Sequence, residues 1–231
     1  MKLNETHHAY IVLGFYRELM KRGQAGYLTF IKGAQLYGES RGRRMAMRAI
    51  RDGNPLNFTT YFAYGEWESS PDAFDCTFEA KEGYVDENVT RCPWATVFAK
   101  EDLKECGMVY CKEIDRAIVR GFNPELTLEV PHNCHDSDSC QFYFRDSQVR
   151  PGLFEEGDAM LQRPHGPLVR EFAYHCADVW CNYCNVVYSV FGDGEGAKIV
   201  AAVRRYVADT TSEEVLKTIE RYVDTDFNRV S

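Results

Sequence analysis

Between Leu103 and Cys140 the apolar spacing changes period, and that change limits the possible folds more than any other feature of the chain. Leu103, Cys106, Val109, Tyr110, Ile114 and Ile118 recur at three- and four-residue intervals, largely on one side of a helix. Gly121 reads as the stop of that helix, and Pro124 starts an extended segment from Leu126 to Val130. Cys140 to Phe144 reads as a returning strand, with residues 131–139 as the long polar loop of a hairpin. A helix feeding a hairpin predicts an α+β fold, with an antiparallel sheet packed with helices.

The flanks read as helical segments, so the 231 residues form a single domain in three parts: 1–52, 53–160 and 161–231. Asn4 or Thr6 can cap a first helix carrying Ile11, Phe15 and Leu19 on its apolar face. A second helix carries Tyr27, Phe30, Ile31, Ala34 and Tyr37 and ends at Gly38; a third runs from about Gly42 to Ile50. In the centre, Phe58, Tyr61, Phe62 and Tyr64 suggest an extended aromatic segment, and Phe74 to Ala80 a half-buried strand. From residue 165 the chain is helical again, with helices over Phe172 to Phe191, Gly196 to Val207, and from Thr211, which is spaced from Glu214 as a capping box. The stretch Tyr37-Gly38-Glu39 echoes Phe191-Gly192-Asp193, either as an internal repeat or as two ordinary glycine-capped joints.

A formal charge of -8 argues against nucleic acid and anionic membrane surfaces as partners. A local exception, Lys21, Arg22, Arg41, Arg43, Arg44, Arg48 and Arg51, is either a solvated helix face or a set that contacts an anionic substrate. The N-terminus lacks the apolar run of a signal peptide, and no stretch reaches the roughly 18 apolar residues of a membrane span. The expectation is a cytoplasmic protein whose nine cysteines serve as thiols, metal ligands or catalytic groups. Walker, dinucleotide-fingerprint, G-x-S-x-G and H-E-x-x-H motifs do not occur.

Chemistry-bearing residues concentrate in the centre. Cys92 precedes Pro93, where a thiol at a helix N-terminus gains thiolate character, although a structural cysteine at a turn fits equally. Cys111 and Asp115 stand at i and i+4 and share a helix face, as a thiol with its acid–base partner or with Asp115 paired to Lys112 or Arg116. Glu129 points opposite to Leu128 and Val130 along its strand, inward as a general acid or base or outward as a surface residue. His132, Cys134, His135, Asp136, Asp138 and Cys140 offer zinc or iron ligands, or merely a polar loop. Cys176, Cys181 and Cys184 lie in a continuous helix and suit small apolar packing. His7, His8 and His175 read as surface or capping residues. Gly65-Glu66-Trp67 follows no periodicity and is a candidate for closing over a pocket.

The residues Arg91-Cys92-Pro93-Trp94, Tyr110-Cys111-x-x-Ile114-Asp115, Arg120-Gly121-Phe122-Asn123-Pro124 and Leu128-Glu129-Val130, closing at Cys140, resemble the L-2-amino-thiazoline-4-carboxylic acid hydrolase family. Tyr61-Phe62-Ala63-Tyr64-Gly65-Glu66-Trp67 fits the same pattern, and the resemblance is close over about residues 54–145. It implies hydrolytic opening of a cyclic C=N compound, with N-carbamoyl-L-cysteine as product. The centre is also similar to the 4-vinyl-reductase type of small-molecule-binding domain, in which a late glutamate and cysteines form the site; Glu129, Cys134 and Cys140 match best. The loop before Cys140 departs from the family's short Asn-Gly-Asp type turn, having no glycine and extra ligand-type residues.

The resulting expectation is a cysteine-assisted hydrolase of a small carboxylate-bearing cyclic amidine or thiazoline. Cys92 or Cys111 attacks the amidine-like carbon, and Asp115 or Glu129 protonates a departing nitrogen and then activates water. Asn123 hydrogen-bonds the substrate, Arg91 or Arg120 clamps its carboxylate, and Trp67, Trp94 and Cys140 line the pocket. No cofactor is expected, with zinc or iron at His132 to Cys140 as the exception, and the chain is a candidate homo-oligomer. The alternative is a sensor module binding a metal or small ligand through Cys134, His135 and Cys140.

Overall fold

A computed structural model of the chain describes residues 1–161 and 169–230. Helix α1 (Glu5–Met20) is capped by Asn4, and α2 (Gly23–Arg51) follows as one uninterrupted helix. Gly38 therefore does not end a helix, and the echo with Gly192 is not a structural repeat. Gly38 and Gly42 serve close packing against α5 (Lys104–Phe122) instead. A Cβ on Gly42 would lie 2.0 Å from the Ile118 carbonyl oxygen, and one on Gly38 2.9 Å from that of Ile114. Gly121 belongs to the same crossing rather than to a helix stop, since its Cβ would lie 2.4 Å from the Glu39 carbonyl oxygen. Glycine on both helices lets the backbones touch, and side chains beside the seam are drawn inward with them.

The aromatic segment expected to be extended is helix α3 (Phe58–Ala63), capped by the Asn57 side chain. Phe58, Tyr61 and Phe62 are spaced three and four apart, so their period was helical all along. Strand β1 (Asp75–Lys81) turns through Glu82-Gly83, with Gly83 at φ 80°, into β2 (Tyr84–Arg91). The expected hairpin forms from β3 (Thr127–Glu129) and β4 (Cys140–Arg145). The sheet is antiparallel in the order β1-β2-β4-β3. Helix α4 (Pro93–Lys100) connects β2 to α5, and α6 (Leu153–Leu161) lies against α3.

The C-terminal part is α7 (Phe172–Thr210) and α8 (Glu213–Glu220). The expected break falls at Gly192, whose φ of 68° interrupts α7. The Thr211 capping box does not form: Ser212 is the N-cap of α8, and the Thr211 hydroxyl donates back to the Val207 carbonyl. Residues 165–168, the expected start of this part, lie outside the described residues. No helix among the described residues is long and apolar enough to cross a membrane.

Two apolar cores result. The larger joins α1, α2, α4, α5, α7 and α8; the smaller lies between the sheet and Phe58, Val119 and Leu153. Arg44 stitches part of the first together: its guanidinium bonds both carboxylate oxygens of Glu66 at 3.0 and 2.8 Å, pairs with Asp178 at 2.8 Å, and donates to Ser40 and to the Phe227 carbonyl. Glu66 is fully buried, and its position fixes the neighbouring Trp67. The unexplained Gly65-Glu66-Trp67 segment is thus an anchored connection.

Candidate active site

A cavity of about 360 Å³ lies at the seam between the two cores. Its floor is one face of the sheet. Alternation puts Val85, Glu87 and Val89 of β2 on that face, and register sets Glu87 between Phe78 of β1 and Phe142 of β4. Its walls are Arg41 and Met45 of α2, the aromatics of α3, Trp67, Trp94, and the α5 stripe Cys111, Asp115 and Ile118. It reaches the surface beside edge strand β1, where Cys76 and Phe78 are exposed.

Six of the expected site residues meet here: Cys92, Cys111, Asp115, Trp67, Trp94 and Cys140. Four do not. Glu129 faces outward, because it pairs with Tyr143 on the opposite face of the sheet from Phe142 and Phe144, and it forms an exposed ion pair with Arg145 at 3.0 Å. Arg91 is exposed at the end of β2. Arg120 is exposed and paired with Glu39 at 2.7 Å. Asn123 ends α5 and spends its amide on the Leu56 carbonyl at 2.7 Å and its oxygen on the Glu125 N–H.

Among the described residues the cation lining the cavity is Arg41, one of the seven basic residues noted in the sequence. It is 4 % exposed, its guanidinium carbon lies 3.8 Å from the centre of the Trp67 ring, and Nε and Nη1 have no acceptor among the described residues. Buried donors are nearly always satisfied, and leaving a charged one unmet costs on the order of 1–3 kcal/mol or more. Trp67 stacks in turn on Trp94 and Phe172, which holds the indole face under the guanidinium.

Two carboxyl groups share the cavity with Arg41. Burial pushes Asp115 up to about 6, against the pull of the Arg41 charge. Burial between the two Phe rings, and then the Asp115 charge, pushes Glu87 up to about 8. Near neutrality one is ionised and the other protonated, which is the arrangement that supplies a base and an acid. Glu87 escaped the sequence reading because β2 did. The signal was present in Val85-x-Glu87-x-Val89, a charge in the apolar phase of an alternating run after a Glu-Gly turn.

Cys92 is the N-cap of α4, as its place before Pro93 implied. The backbone N–H groups of Ala95 and Trp94 pull its thiol down, too weakly to close a capping bond, and burial wins, pushing it up to about 11. Cys111 and Asp115 keep surface open to the cavity while enclosed by protein, and burial raises the Cys111 thiol well above its ordinary range. The Cys111 sulfur lies 3.4 Å from Nε2 of His135. Cys134 and Cys140 meet each other, sulfur to sulfur, at 3.3 Å. Among the described residues no group of three or more His, Cys, Asp or Glu side chains is arranged to hold a metal ion.

The histidines expected at the surface differ among themselves. His7 completes the α1 capping box with Asn4. His8 and His175 are fully buried: His8 accepts from the Trp94 indole N–H at 3.1 Å, and His175 Nε2 meets the Glu66 carbonyl at 3.1 Å. Cys176, Cys181 and Cys184 lie along α7 and pack in or against the larger core.

A model of the L-2-amino-thiazoline-4-carboxylic acid hydrolase family matches residues 4–144. The match runs from the cap of α1 through β4, so it takes in α2 and Arg41 and ends before the C-terminal helices. Comparison with curated proteins and with solved structures returns no match.

Proposed function

Because this chain belongs to the L-2-amino-thiazoline-4-carboxylic acid hydrolase family, we propose that its cavity takes a small carboxylate-bearing cyclic C=N compound and opens the ring with water. The observation that carries this reading is Arg41: a buried guanidinium in a largely aromatic and apolar cavity, with two donors that meet no acceptor among the described residues. A planar fork of this kind suits a carboxylate, and an aromatic enclosure suits a flat ring.

The stoichiometry of the ring opening corrects one expectation. If a 2-amino-thiazoline carboxylate gives an N-carbamoyl thiol, both bonds from the central carbon to nitrogen survive. The bond that breaks is the ring carbon–sulfur bond, and the leaving group is sulfur rather than nitrogen. One water is consumed: its oxygen becomes the carbamoyl oxygen and its protons end on nitrogen and sulfur. Glu87, protonated near neutrality, is the acid for the departing sulfur, and Asp115, ionised, is the base for water. Cys92 and Cys111 are the candidate nucleophiles.

Steady-state kinetics on L-2-amino-thiazoline-4-carboxylate and on the same ring without its carboxylate test the reading. Arg41→Gln should lower kcat/KM for the carboxylate by about 100-fold, the worth of about 2.7 kcal/mol of charged hydrogen bonding, and leave the carboxylate-free ring nearly unaffected. Equal losses on both rings would remove the carboxylate clamp. No ring opening by the parent protein across a panel of thiazolines and cyclic amidines would remove the hydrolase reading.

A further inference from the structure

The loop between β3 and β4 is tied down at several points. Asn133, buried, accepts the His135 N–H on its side chain at 2.9 Å, and its carbonyl takes the N–H groups of Asp136 and Ser137. The Asn133 N–H donates to Asp136 at 2.9 Å, and the Cys134 N–H donates to the Cys140 sulfur at 3.2 Å. So held, the loop lays the His135 ring on α5 and against Phe98, with ring centres 5.7 Å apart.

The surface under that ring is made by a glycine. A Cβ on Gly107 would fall 2.1 Å from Cε1 and 2.2 Å from Nε2 of His135. Only glycine leaves the notch, although glycine inside a helix costs about 0.5–1 kcal/mol relative to alanine. One turn along α5 from that notch stands Cys111. Its sulfur lines the cavity on one side and meets His135 Nε2 at 3.4 Å on the other. Among the described residues Cys92 has no such neighbour, facing backbone N–H groups instead.

We propose that Cys111 is the nucleophile of this cavity and His135 its base, with Cys92 outside the covalent chemistry. This rests on the hydrolase reading for its substrate but not for its test. Burial disfavours charge on both partners, so the resting pair is a neutral thiol and a neutral imidazole. As the Cys111 sulfur bonds to the amidine carbon, its proton passes through Nε2 of His135 to the ring nitrogen, which receives the C=N electron pair. Collapse breaks the ring carbon–sulfur bond, Glu87 protonates the freed sulfur, and an isothiouronium cation remains on Cys111. Water adds to its central carbon and gives one proton to Asp115. The bond to Cys111 then breaks, the hydroxyl proton passes through His135 to its sulfur, the carbamoyl product leaves, and the proton on Asp115 returns to Glu87.

Alkylation of cysteines by iodoacetamide, followed peptide by peptide by mass spectrometry from pH 6 to 9, tests the pair without any substrate. The titratable groups bearing on it are Asp136 and Lys104 on the imidazole, and Cys92, Asp115, Cys140 and Cys106 on the thiol, the cysteines among them neutral across this range. His135→Gln should slow labelling of Cys111 by about 10- to 100-fold and leave Cys92 unchanged. Gly107→Ala, which keeps the imidazole but displaces it, should slow Cys111 in the same way. Cys111→Ala should abolish ring opening. Labelling of Cys111 at the parent rate in both variants would overturn the pair, as would full turnover by Cys111→Ala. If the parent protein opens no ring, the hydrolase reading falls while the labelling result still decides the pair.

Discussion

Two clusters of buried charge meet on α2. Around Arg44 every donor finds a partner: both oxygens of Glu66, Asp178, the Ser40 hydroxyl and the Phe227 carbonyl. Around Arg41, three residues earlier and just as buried, two donors find none among the described residues, and the guanidinium lies over the face of an indole. The first cluster closes on itself and joins α2 to α7 and to the segment carrying Trp67. The second opens on a cavity. The same residue type at the same depth is thus a structural tie in one place and, on the function proposed above, a carboxylate clamp in the other. What separates the two is whether the described chain supplies the acceptors.

The sharpest way to break this contrast is to remove one partner from the closed cluster. Glu66→Ala leaves Arg44 short of its bidentate acceptor and should lower stability by about 3–5 kcal/mol in urea unfolding. Arg41→Met, by contrast, should leave stability unchanged or raise it by about 1 kcal/mol, since it removes a buried charge two of whose donors meet no acceptor among the described residues. An Arg41→Met protein as unstable as Glu66→Ala would show that Arg41 is a structural tie as well.

Proton linkage sharpens the same contrast. Glu87 holds its proton in the fold up to about pH 8, whereas in the unfolded chain it releases it near the ordinary value of about 4.3. Between those values the folded state binds the extra proton, so the group drains stability as pH rises. Glu87→Gln should therefore melt several degrees above the parent at pH 8 and alongside it at pH 4. The alkaline limb of the parent's rate profile, set near 8, should vanish in the variant, while the acid limb set by Asp115 near 6 remains. A Glu87→Gln protein less stable than the parent at pH 8 would mean that the carboxylate is stabilised by a partner. The smallest effect belongs to Glu129→Gln, which removes an exposed pair with Arg145 outside the cavity. Neither its melting temperature nor its turnover should change measurably, and a large loss of turnover would return Glu129 to the site.

What was legible in the sequence followed the local rules. The period of α5, the hairpin of β3 and β4, the cap of α1 and the break near Gly192 each rest on neighbours in the chain. The misreadings share a cause. Gly38 and Gly121 looked like punctuation because a glycine cannot say from sequence whether it is needed for its dihedral angles or for its missing side chain. Here the reason is a second helix within reach. Glu129 and Glu87 are both strand glutamates, and only the register of the sheet decides that one faces water and the other two Phe rings.

By itself the sequence determined the chemistry available: thiols at 92 and 111, an aspartate one turn after Cys111, tryptophans at 67 and 94, and the motif block that marks the family. These depend on residue type and on spacing along one element. Only the tertiary structure decided which cation, which second carboxyl and which imidazole join them. Arg41, Glu87 and His135 come from three distant elements, and they converge because α2 and α5 touch through glycine and the sheet closes beneath them. Burial then favours the neutral forms of Glu87 and His135, while Nε and Nη1 of Arg41 meet no acceptor among the described residues.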